Sequence, residues 1–221
     1  MTVRTSPTEP EQLRELLSGD ARRIAPQLLG SVLSHNSHEG TVAVRITEVE
    51  AYMGPGDSLH PDPGSHTFRG PTARNAPMFG PAGHLYVYFT YGMHYCANVV
   101  CGPAGTASAV LLRAGEVVEG QRLAAVRRPT SKSPFDLASG PARLATALAL
   151  TTADSGRDAL SEPFELRLPE TAAMEVSSGP RVGVSGDGGT GDYPWRFWLP
   201  GDPTVSRYKA AKPRPAKFQS R

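Results

Sequence analysis

The segment from residue 83 to residue 100 constrains the fold more than any other part of the sequence. It contains four of the seven tyrosines, namely Tyr86, Tyr88, Tyr91 and Tyr95. Aromatic and β-branched residues alternate before Thr90, and the apolar pattern resumes beyond Gly92. Because such alternation is typical of strands, the sequence predicts a β-hairpin with its turn at Gly92.

The tyrosines of this hairpin have two explanations. Successive side chains of a strand point to opposite faces, so Tyr86 and Tyr88 share one face. Tyr91 lies beside the turn, where little neighbouring chain can bury its ring. The rings could simply form the edge of a core hairpin. Alternatively, two rings on one face and a third at the tip suit a surface that stacks on a flat ligand and a finger that fills a gap.

Composition narrows the class of protein. The chain has 221 residues, of which 39% are hydrophobic and 20% charged, enough for one large or two small globular domains. It has no apolar run near 18 residues and no charged-then-apolar leader. We therefore expect no membrane association and a cytoplasmic location, with the nucleoid as its site if the source is bacterial.

Cysteine and histidine usage argues against a metal centre. Cys96 and Cys101 are five positions apart, so on a regular strand they point to opposite faces and remain free thiols. The six histidines show no zinc-like spacing with each other or with the cysteines. We expect neither a metal nor an organic cofactor.

Positive charge is concentrated at the end of the chain, although the net charge is only +2. Beyond Asp202 there is no acidic residue, and the cations are Arg207, Lys209, Lys212, Arg214, Lys217 and Arg221. Such runs are commonly only solvated, but a basic tail on a near-neutral body favours nucleic-acid contact. We divide the chain into a polar segment (1–24), a main domain (25–206) and a basic tail (207–221).

Residues 41–52 form the clearest predicted strand. Its alternation assigns one face to Val42, Val44, Ile46, Glu48 and Glu50. Because neither face is purely polar, we predict a central strand that is covered on both sides. Glu50 ends the otherwise apolar row, so its carboxylate is either exposed at the strand end or retained for chemistry.

A long segment without periodicity follows, from residue 53 to residue 83. Loops of this length inside a compact domain are uncommon unless they are functional, and this one carries Arg69, Arg74 and Asn75, which suit phosphates or base edges. The other predicted elements are strands at 31–33, 107–113, 163–168, 181–184 and 195–199, a turn at 35–40, and helices at 11–17, 117–126 and 139–150. Arg113 is expected at the end of its strand.

Several motifs occur in an order that is characteristic of one enzyme family. They are Glu48-Val-Glu50-Ala-Tyr52, Arg74-Asn75, Tyr86-Val-Tyr88, Tyr91-Gly92-Met93, Asn98, Leu111-Leu-Arg113-Ala and Ser139-Gly-Pro141. From about residue 28 to residue 206 the chain resembles the alkyladenine (3-methyladenine) DNA glycosylase family. The resemblance implies a single α+β domain, with a curved antiparallel β-sheet, surrounding helices and a protruding β-hairpin.

The resemblance also implies roles for matched residues. Glu50 is similar to the general base that activates water, and Arg113 to the arginine that helps to hold that water. Tyr91 is similar to the residue that fills the stack vacated by an extruded nucleotide. Asn98 matches an asparagine that disfavours guanine, with its exocyclic amine.

Tyr52 and Tyr88 resemble the aromatic walls that sandwich an extruded base together with a histidine. The family has this histidine a short fixed distance beyond the Glu-Ala-Tyr motif, whereas this loop offers both His60 and His66. The context Asp-Pro-Gly-Ser-His matches His66. We therefore assign the pocket to His66 and treat residues 58–61 as part of an insertion.

The implied activity is excision of alkylated or deaminated purines, of the 3-methyladenine and hypoxanthine type, from double-stranded DNA by a monomeric enzyme. Glu50 would activate water as in inverting glycosidases. Since the first lysine is Lys132, a Schiff-base lyase step near the pocket is disfavoured, and we expect a monofunctional glycosylase.

Two other classes of function fit part of the pattern. A non-catalytic nucleic-acid-binding module could use the tyrosines as a stacking platform, but a carboxylate such as Glu50 among the rings would repel phosphates. A hydrolase of free nucleosides would need neither Tyr91 at a turn nor a basic tail.

Overall fold

The computed structural model describes residues 10–169, 171 and 175–211. Within this part of the chain, nine strands form one open antiparallel sheet. The strands are β1 (Val32–Ser37), β2 (Gly40–Tyr52), β3 (Leu85–Thr90), β4 (His94–Val100), β5 (Ala109–Glu119), β6 (Ala138–Ser139), β7 (Phe164–Arg167), β8 (Ser177–Gly179) and β9 (Arg196–Trp198). The predicted α+β fold with an antiparallel sheet is confirmed.

Strand β2 lies at the centre of the sheet. The main order is β3-β4-β5-β2-β1-β7, while β9 pairs with β2, β8 with β9 and β6 with β5. One edge of β2 pairs with β5, and the other is shared by β1 along residues 40–45 and β9 along residues 48–50. Residues 42–51 are buried except Arg45, which confirms the prediction of a covered central strand.

Short helices cover the sheet. They are α1 (Pro10–Leu17), α2 (Ala21–Ile24), α3 (Gln121–Arg127) and α4 (Pro141–Ala147), with 3-10 turns at Ala25–Leu28, Ala76–Phe79, Pro134–Asp136, Thr152–Asp154 and Asp187–Gly189. Leu13 and Leu17 are four residues apart in α1, so both face the core, where they are buried. The Asp20 side chain caps α2 by accepting the Arg22 N–H.

The pairing of β2 with β5 changes register in the middle of both strands. Ile46 lies opposite Gly115, Glu48 opposite Ala114, and Val49 opposite Leu112. Thr47 on one strand and Arg113 on the other are therefore extra residues, as in β-bulges. Beyond this irregularity, the residues of β2 that face the core are shifted by one position.

This shift corrects the predicted faces of β2. The core cluster contains Val42, Val44 and Ile46 before the irregularity, but Val49 and Ala51 after it. Glu48 and Glu50 thus do not continue the apolar row. Strict alternation could not reveal this, because the extra residue is set by pairing with a strand some 65 residues away in sequence.

Other predicted boundaries were wrong for related reasons. Arg113 lies inside β5, because that strand continues to pair with β2 as far as Glu119. For the same reason the predicted helix at 117–126 begins only at Gln121, after Gly120 with φ +71°. Residues 35–37 extend β1 instead of starting a turn.

Residues 181–184 form a turn and not the predicted strand. Their backbone groups bind elsewhere: the Val182 N–H donates to the Glu50 carboxylate at 2.6 Å, and the Gly183 N–H to the Lys209 carbonyl at 3.0 Å. These partners replace the ladder that a strand would need.

The hairpin, the loop and the thiols agree with the sequence analysis. β3 and β4 pair on either side of Tyr91 and Gly92, and residues 53–84 contain only turns, bridges and one 3-10 turn. Both cysteines are free, with Cys101 in the core and Cys96 beside a cavity. No helix in the described part of the chain is long and apolar enough to cross a membrane.

Gly115 permits the close approach of β5 to β2 next to the irregularity. A Cβ atom there would lie 2.4 Å from the Val44 Cγ1 and 2.5 Å from the Arg45 carbonyl oxygen. We predict that Gly115→Ala lowers the free energy of unfolding by about 1–3 kcal/mol, as overpacking does. Urea denaturation measures this change. Gly191→Ala is the control, since a Cβ there meets nothing within 4 Å, and equal effects of the two variants would contradict the prediction.

Candidate active site

A cavity of about 350 Å³ opens between the β3–β4 hairpin, the loop after β2 and the turn after Arg181. Its lining includes six of the seven site residues proposed from the sequence, namely Tyr52, His66, Tyr88, Tyr91, Asn98 and Arg113. The structure therefore brings together side chains that are separated by up to 61 residues in sequence. The seventh residue, Glu50, lies immediately behind this lining.

The aromatic wall of the cavity comes from alternate residues of β3 and from the long loop. The rings of Tyr86 and Tyr88 stack with centroids 5.3 Å apart, and His66 stands perpendicular to Tyr88 at 4.6 Å. The His66 Nδ1 lies 3.2 Å from the Tyr86 hydroxyl. Burial raises the pKa of Tyr86 to about 12, so this hydroxyl stays protonated and can hold the imidazole.

Glu50 is a fully buried carboxylate with three partners. Its Oε1 accepts the Val182 N–H at 2.6 Å, and its Oε2 accepts the Tyr52 hydroxyl at 2.9 Å. The Arg113 Nη1 lies 3.4 Å from Oε2. All three partners line the cavity. A carboxylate has about four lone-pair sites, so these three partners leave acceptor capacity on Glu50, whose side chain is fully buried in this structure.

Glu48 lies behind Arg113 and completes an ionic network that the sequence analysis missed. Its Oε1 accepts the Nε–H groups of Arg113 at 3.0 Å and Arg196 at 2.6 Å, and its Oε2 accepts the Ser206 N–H at 2.8 Å. Burial alone would raise the pKa of Glu48, but the Arg113 charge and these hydrogen bonds outweigh it and lower the pKa. Arg113 is thereby held between two carboxylates.

The electrostatics of the cavity favour a neutral Tyr52 and a charged Arg113. Burial, followed by the charge of Glu50, raises the pKa of Tyr52 well above its ordinary value, so its hydroxyl remains a donor. Burial would lower the pKa of Arg113, but Glu50 and Glu48 together raise it.

Asn98 is fixed by the neighbouring strand. It is buried, and its amide Nδ2 donates to the Tyr86 carbonyl at 3.0 Å. That bond orients the rest of the amide at the cavity wall.

The two candidate histidines lie in different places. His66 lines the same cavity as Tyr52 and Tyr88, whereas His60 borders a separate cavity of about 520 Å³ near Asp20 and Ser108. The geometry therefore agrees with the choice of His66, and its role stays a prediction.

Not every polar residue of the long loop is available to a ligand. Asn75 is buried, and its amide donates to the carbonyls of His66 and Gly70. It supports the loop, and its amide is used within the protein. Arg74 is exposed, lies 5.4 Å from the Tyr88 ring centroid, and donates to the Phe89 carbonyl at 3.0 Å.

The hairpin tip projects Tyr91 beside the cavity. Tyr91 is 87% exposed, and its φ of 52° lies in the left-handed region, which costs an ordinary residue about 1–2 kcal/mol. Gly92 also has a positive φ, of 67°, and the Met93 N–H donates to the Thr90 carbonyl. Asparagine and glycine are the usual residues of such turns. Tyr91 therefore occupies an unfavourable backbone position, and its exposed ring gains no packing in return.

Basic residues also occur outside the tail, in the pairs Arg22-Arg23 and Arg127-Arg128. Arg22 pairs with Asp20 and Arg127 with Glu39, so these arginines serve internal contacts. Residues 212–221 of the tail lie outside the described part of the chain. The tail begins near the cavity, since the Lys209 carbonyl accepts the Gly183 N–H.

Comparison with known proteins identifies the family. The family model for methylpurine-DNA glycosylase (MPG) matches residues 15–203. A protein of Leifsonia xyli subsp. xyli is 57% identical over 200 residues, which cover 89% of this chain and 92% of that protein. A protein of Streptomyces avermitilis is 52% identical over 213 residues, covering 95% and 97%. Both carry the provisional name 3-methyladenine DNA glycosylase.

These matches show that the chain is a DNA N-glycosylase. It belongs to the methylpurine-DNA glycosylase family.

The environment of His66 leads to a titration prediction. The ring is reached by solvent through the cavity, yet partial burial against the tyrosines and then the charge of Arg74 lower the pKa of His66. We expect its NMR titration midpoint below that of an ordinary histidine, and a rise of this midpoint in Arg74→Ala. Arg69→Ala, in the same loop, is the control. A midpoint that does not respond to Arg74→Ala would contradict this assignment.

Proposed function

We propose that the chain removes alkylated or deaminated purines from double-stranded DNA by hydrolysing their N-glycosidic bond with a water activated by Glu50. One observation carries this proposal. A fully buried carboxylate lies directly behind an aromatic cavity of about 350 Å³, and an exposed tyrosine stands at the cavity's edge. The names of the related proteins support the same reaction class and point to 3-methyladenine for those relatives.

The cavity suits a purine that has been rotated out of the duplex. Stacking on an aromatic ring contributes about 1–3 kcal/mol per base, and Tyr52, Tyr88 and His66 offer rings in one cavity. A methylated purine carries a positive charge, which ring faces attract. The fixed amide of Asn98 would then contact the edge of the base and discriminate among purines.

For a methylated, cationic purine the chemical step needs a nucleophile more than an acid, since the base is already a good leaving group. A neutral deaminated purine leaves as its anion, which then takes a proton from solvent. Water attacks C1′ of the sugar on the face opposite the base, and the C1′–N bond breaks with its electron pair passing to the base. Glu50 takes the proton from the water, and its charge stabilises the oxocarbenium-like transition state. The products are the free base and an abasic sugar.

Arg113 positions the Glu50 carboxylate for this step. It lies 3.4 Å from the Glu50 carboxylate while Glu48 holds its Nε. In that position it orients the carboxylate and can donate to the attacking water.

Extrusion of the nucleotide costs roughly a few kcal/mol, and Tyr91 would offset part of this cost by occupying the gap. Its exposure and its unfavourable backbone conformation are both accounted for by this role. The double-stranded partner, the monomeric state and a contribution of the tail to binding belong to the same proposal.

A monofunctional reaction fits the residues of the cavity. Its lining in the described part of the chain includes no lysine, so a Schiff-base lyase step has no amine nearby.

The two alternative classes account for less of the geometry. A non-catalytic stacking module has no need for a buried carboxylate with an arginine at 3.4 Å. A hydrolase of free nucleosides has no need for an exposed ring at the hairpin tip. A duplex with one hypoxanthine separates the three classes. Only a glycosylase creates an abasic site in it, so that the strand breaks on treatment with alkali, whereas the other two classes leave the duplex intact.

Removing the charge of Glu50 tests the chemistry directly. We expect Glu50→Gln to lower the single-turnover excision rate by about 10²–10⁴-fold, as loss of a general base does, with affinity for the lesion duplex nearly unchanged. Glu116→Gln, which alters an ion pair with Arg45 away from the cavity, serves as the control. Excision at the wild-type rate by a folded Glu50→Gln variant would refute the general-base role.

Replacing Tyr91 tests extrusion separately from chemistry. Tyr91→Asn keeps a residue that tolerates positive φ, so the free energy of unfolding should not fall. Excision from paired duplex should decrease, and the defect should shrink when the lesion lies opposite an abasic gap, where less unstacking is needed. Tyr91→Phe should keep most activity. Stopped-flow fluorescence of a reporter base beside the lesion follows extrusion, and unchanged extrusion in Tyr91→Asn would contradict the wedge role.

A further inference from the structure

Arg181 and Asp62 form an ion pair that is fully buried next to the cavity without lining it. Arg181 is the largest fully buried side chain among the described residues. Its Nη1 and Nη2 donate to the two Asp62 oxygens, both at 2.6 Å, and neither side chain is exposed. Burying two charges is unfavourable unless their hydrogen bonds are well satisfied, so the further contacts of the pair deserve an explanation.

Those contacts reach three separate walls of the cavity. The Arg181 Nη1 also donates to the Ala51 carbonyl at 3.0 Å, between Glu50 and Tyr52 on β2. Asp62 accepts the N–H groups of Met53 at 3.0 Å and Gly64 at 2.9 Å, which fixes the loop that carries His66.

The third wall is the turn that follows Arg181 in sequence. Its next residue, Val182, donates its N–H to Glu50 at 2.6 Å. The Arg181 Nη2 closes the far end of this turn by donating to the Gly188 carbonyl at 2.8 Å. Arg181 therefore contacts both ends of the turn that brings that amide to the carboxylate.

The guanidinium also covers the Tyr52 ring. Its carbon lies 4.5 Å from the Tyr52 centroid and 5.1 Å from the Trp195 centroid, so the planar group lies near both rings. Tyr52 lines the cavity and Arg181 does not. The arginine thus supports the ring from the side away from the space that a base would occupy.

We propose that Arg181, held by Asp62, is a positioning residue that aligns Tyr52, the His66 loop and the Val182 amide around Glu50. This inference rests on the proposed function, because alignment matters only if the cavity takes an extruded base. Misplacement of reacting groups by about 1 Å can cost about 10²-fold in rate. Neither residue touches the base or the water, so the pair acts through the groups it holds.

Arg181→Lys is the first test, since it keeps the charge but loses the planar fork that binds two oxygens and stacks on a ring. We expect the single-turnover rate on a hypoxanthine duplex, at saturating enzyme, to fall about 10- to 100-fold. Affinity for a duplex with a tetrahydrofuran abasic analogue should stay within about twofold, because no base then enters the cavity. Arg127→Lys is the matched control: it alters an arginine that pairs with Glu39 and the Ala147 carbonyl away from the cavity.

A second variant keeps the test decisive if Arg181→Lys does not fold. The pair Asp62→Asn with Arg181→Gln leaves no unpaired buried charge, and its amide groups can still bond to backbone partners such as the Met53 N–H and the Ala51 carbonyl. It should fold, bind the tetrahydrofuran duplex, and excise slowly. A purely structural ion pair would instead let this double variant excise at the wild-type rate, which would overturn the inference.

The outcomes separate this inference from the proposed function. If the wild-type chain excises no base from any lesion duplex, the proposed function fails. If the wild-type chain excises hypoxanthine and the folded Arg181 variants match it in rate, only the positioning role fails. Loss of rate in the Arg181 variants but not in Arg127→Lys, with unchanged affinity for the tetrahydrofuran duplex, supports the inference.

Discussion

The change of register between β2 and β5 is the constraint on which the site depends. It inserts Thr47 into one strand and Arg113 into the other, and beyond it β2 presents its carboxylates away from the apolar core. Without it, Glu48 and Glu50 would lie in the row of Val42 and the core would hold unpaired charges, which are very costly. With it, both carboxylates face arginines, and Glu50 lies behind the cavity.

Charge pairing then organises the rest of the site. Glu48 joins Arg113, Arg196 and the backbone of Ser206, so the sheet, β9 and the C-terminal segment meet at one carboxylate. Such a cluster is costly unless each group is satisfied. The same segment continues to Lys209, whose carbonyl binds Gly183 at the rim of the cavity, so the root of the basic tail lies close to where DNA would bind.

The hairpin tip differs from the buried ionic network around Glu48 and Arg113 in where its contacts come from. Within the network, each charge is matched by partners inside the protein. At the tip, Tyr91 is exposed and has a positive φ that favours glycine or asparagine. Strained and exposed positions of this kind cluster at functional sites. A partner outside the protein, such as a base stack with a gap, would supply the contacts that the ring lacks.

The sequence by itself determined the features with local causes. Alternating residues predicted the hairpin and the central strand, and the motif from Glu48 to Tyr52 indicated the candidate site. Only the tertiary structure decided the faces of β2, the position of Arg113 within β5 and the pairing of Arg181 with Asp62, residues 119 apart in the chain. Periodicity describes one strand at a time, whereas a register change and a buried ion pair arise from contacts between distant segments, so neither leaves a local pattern.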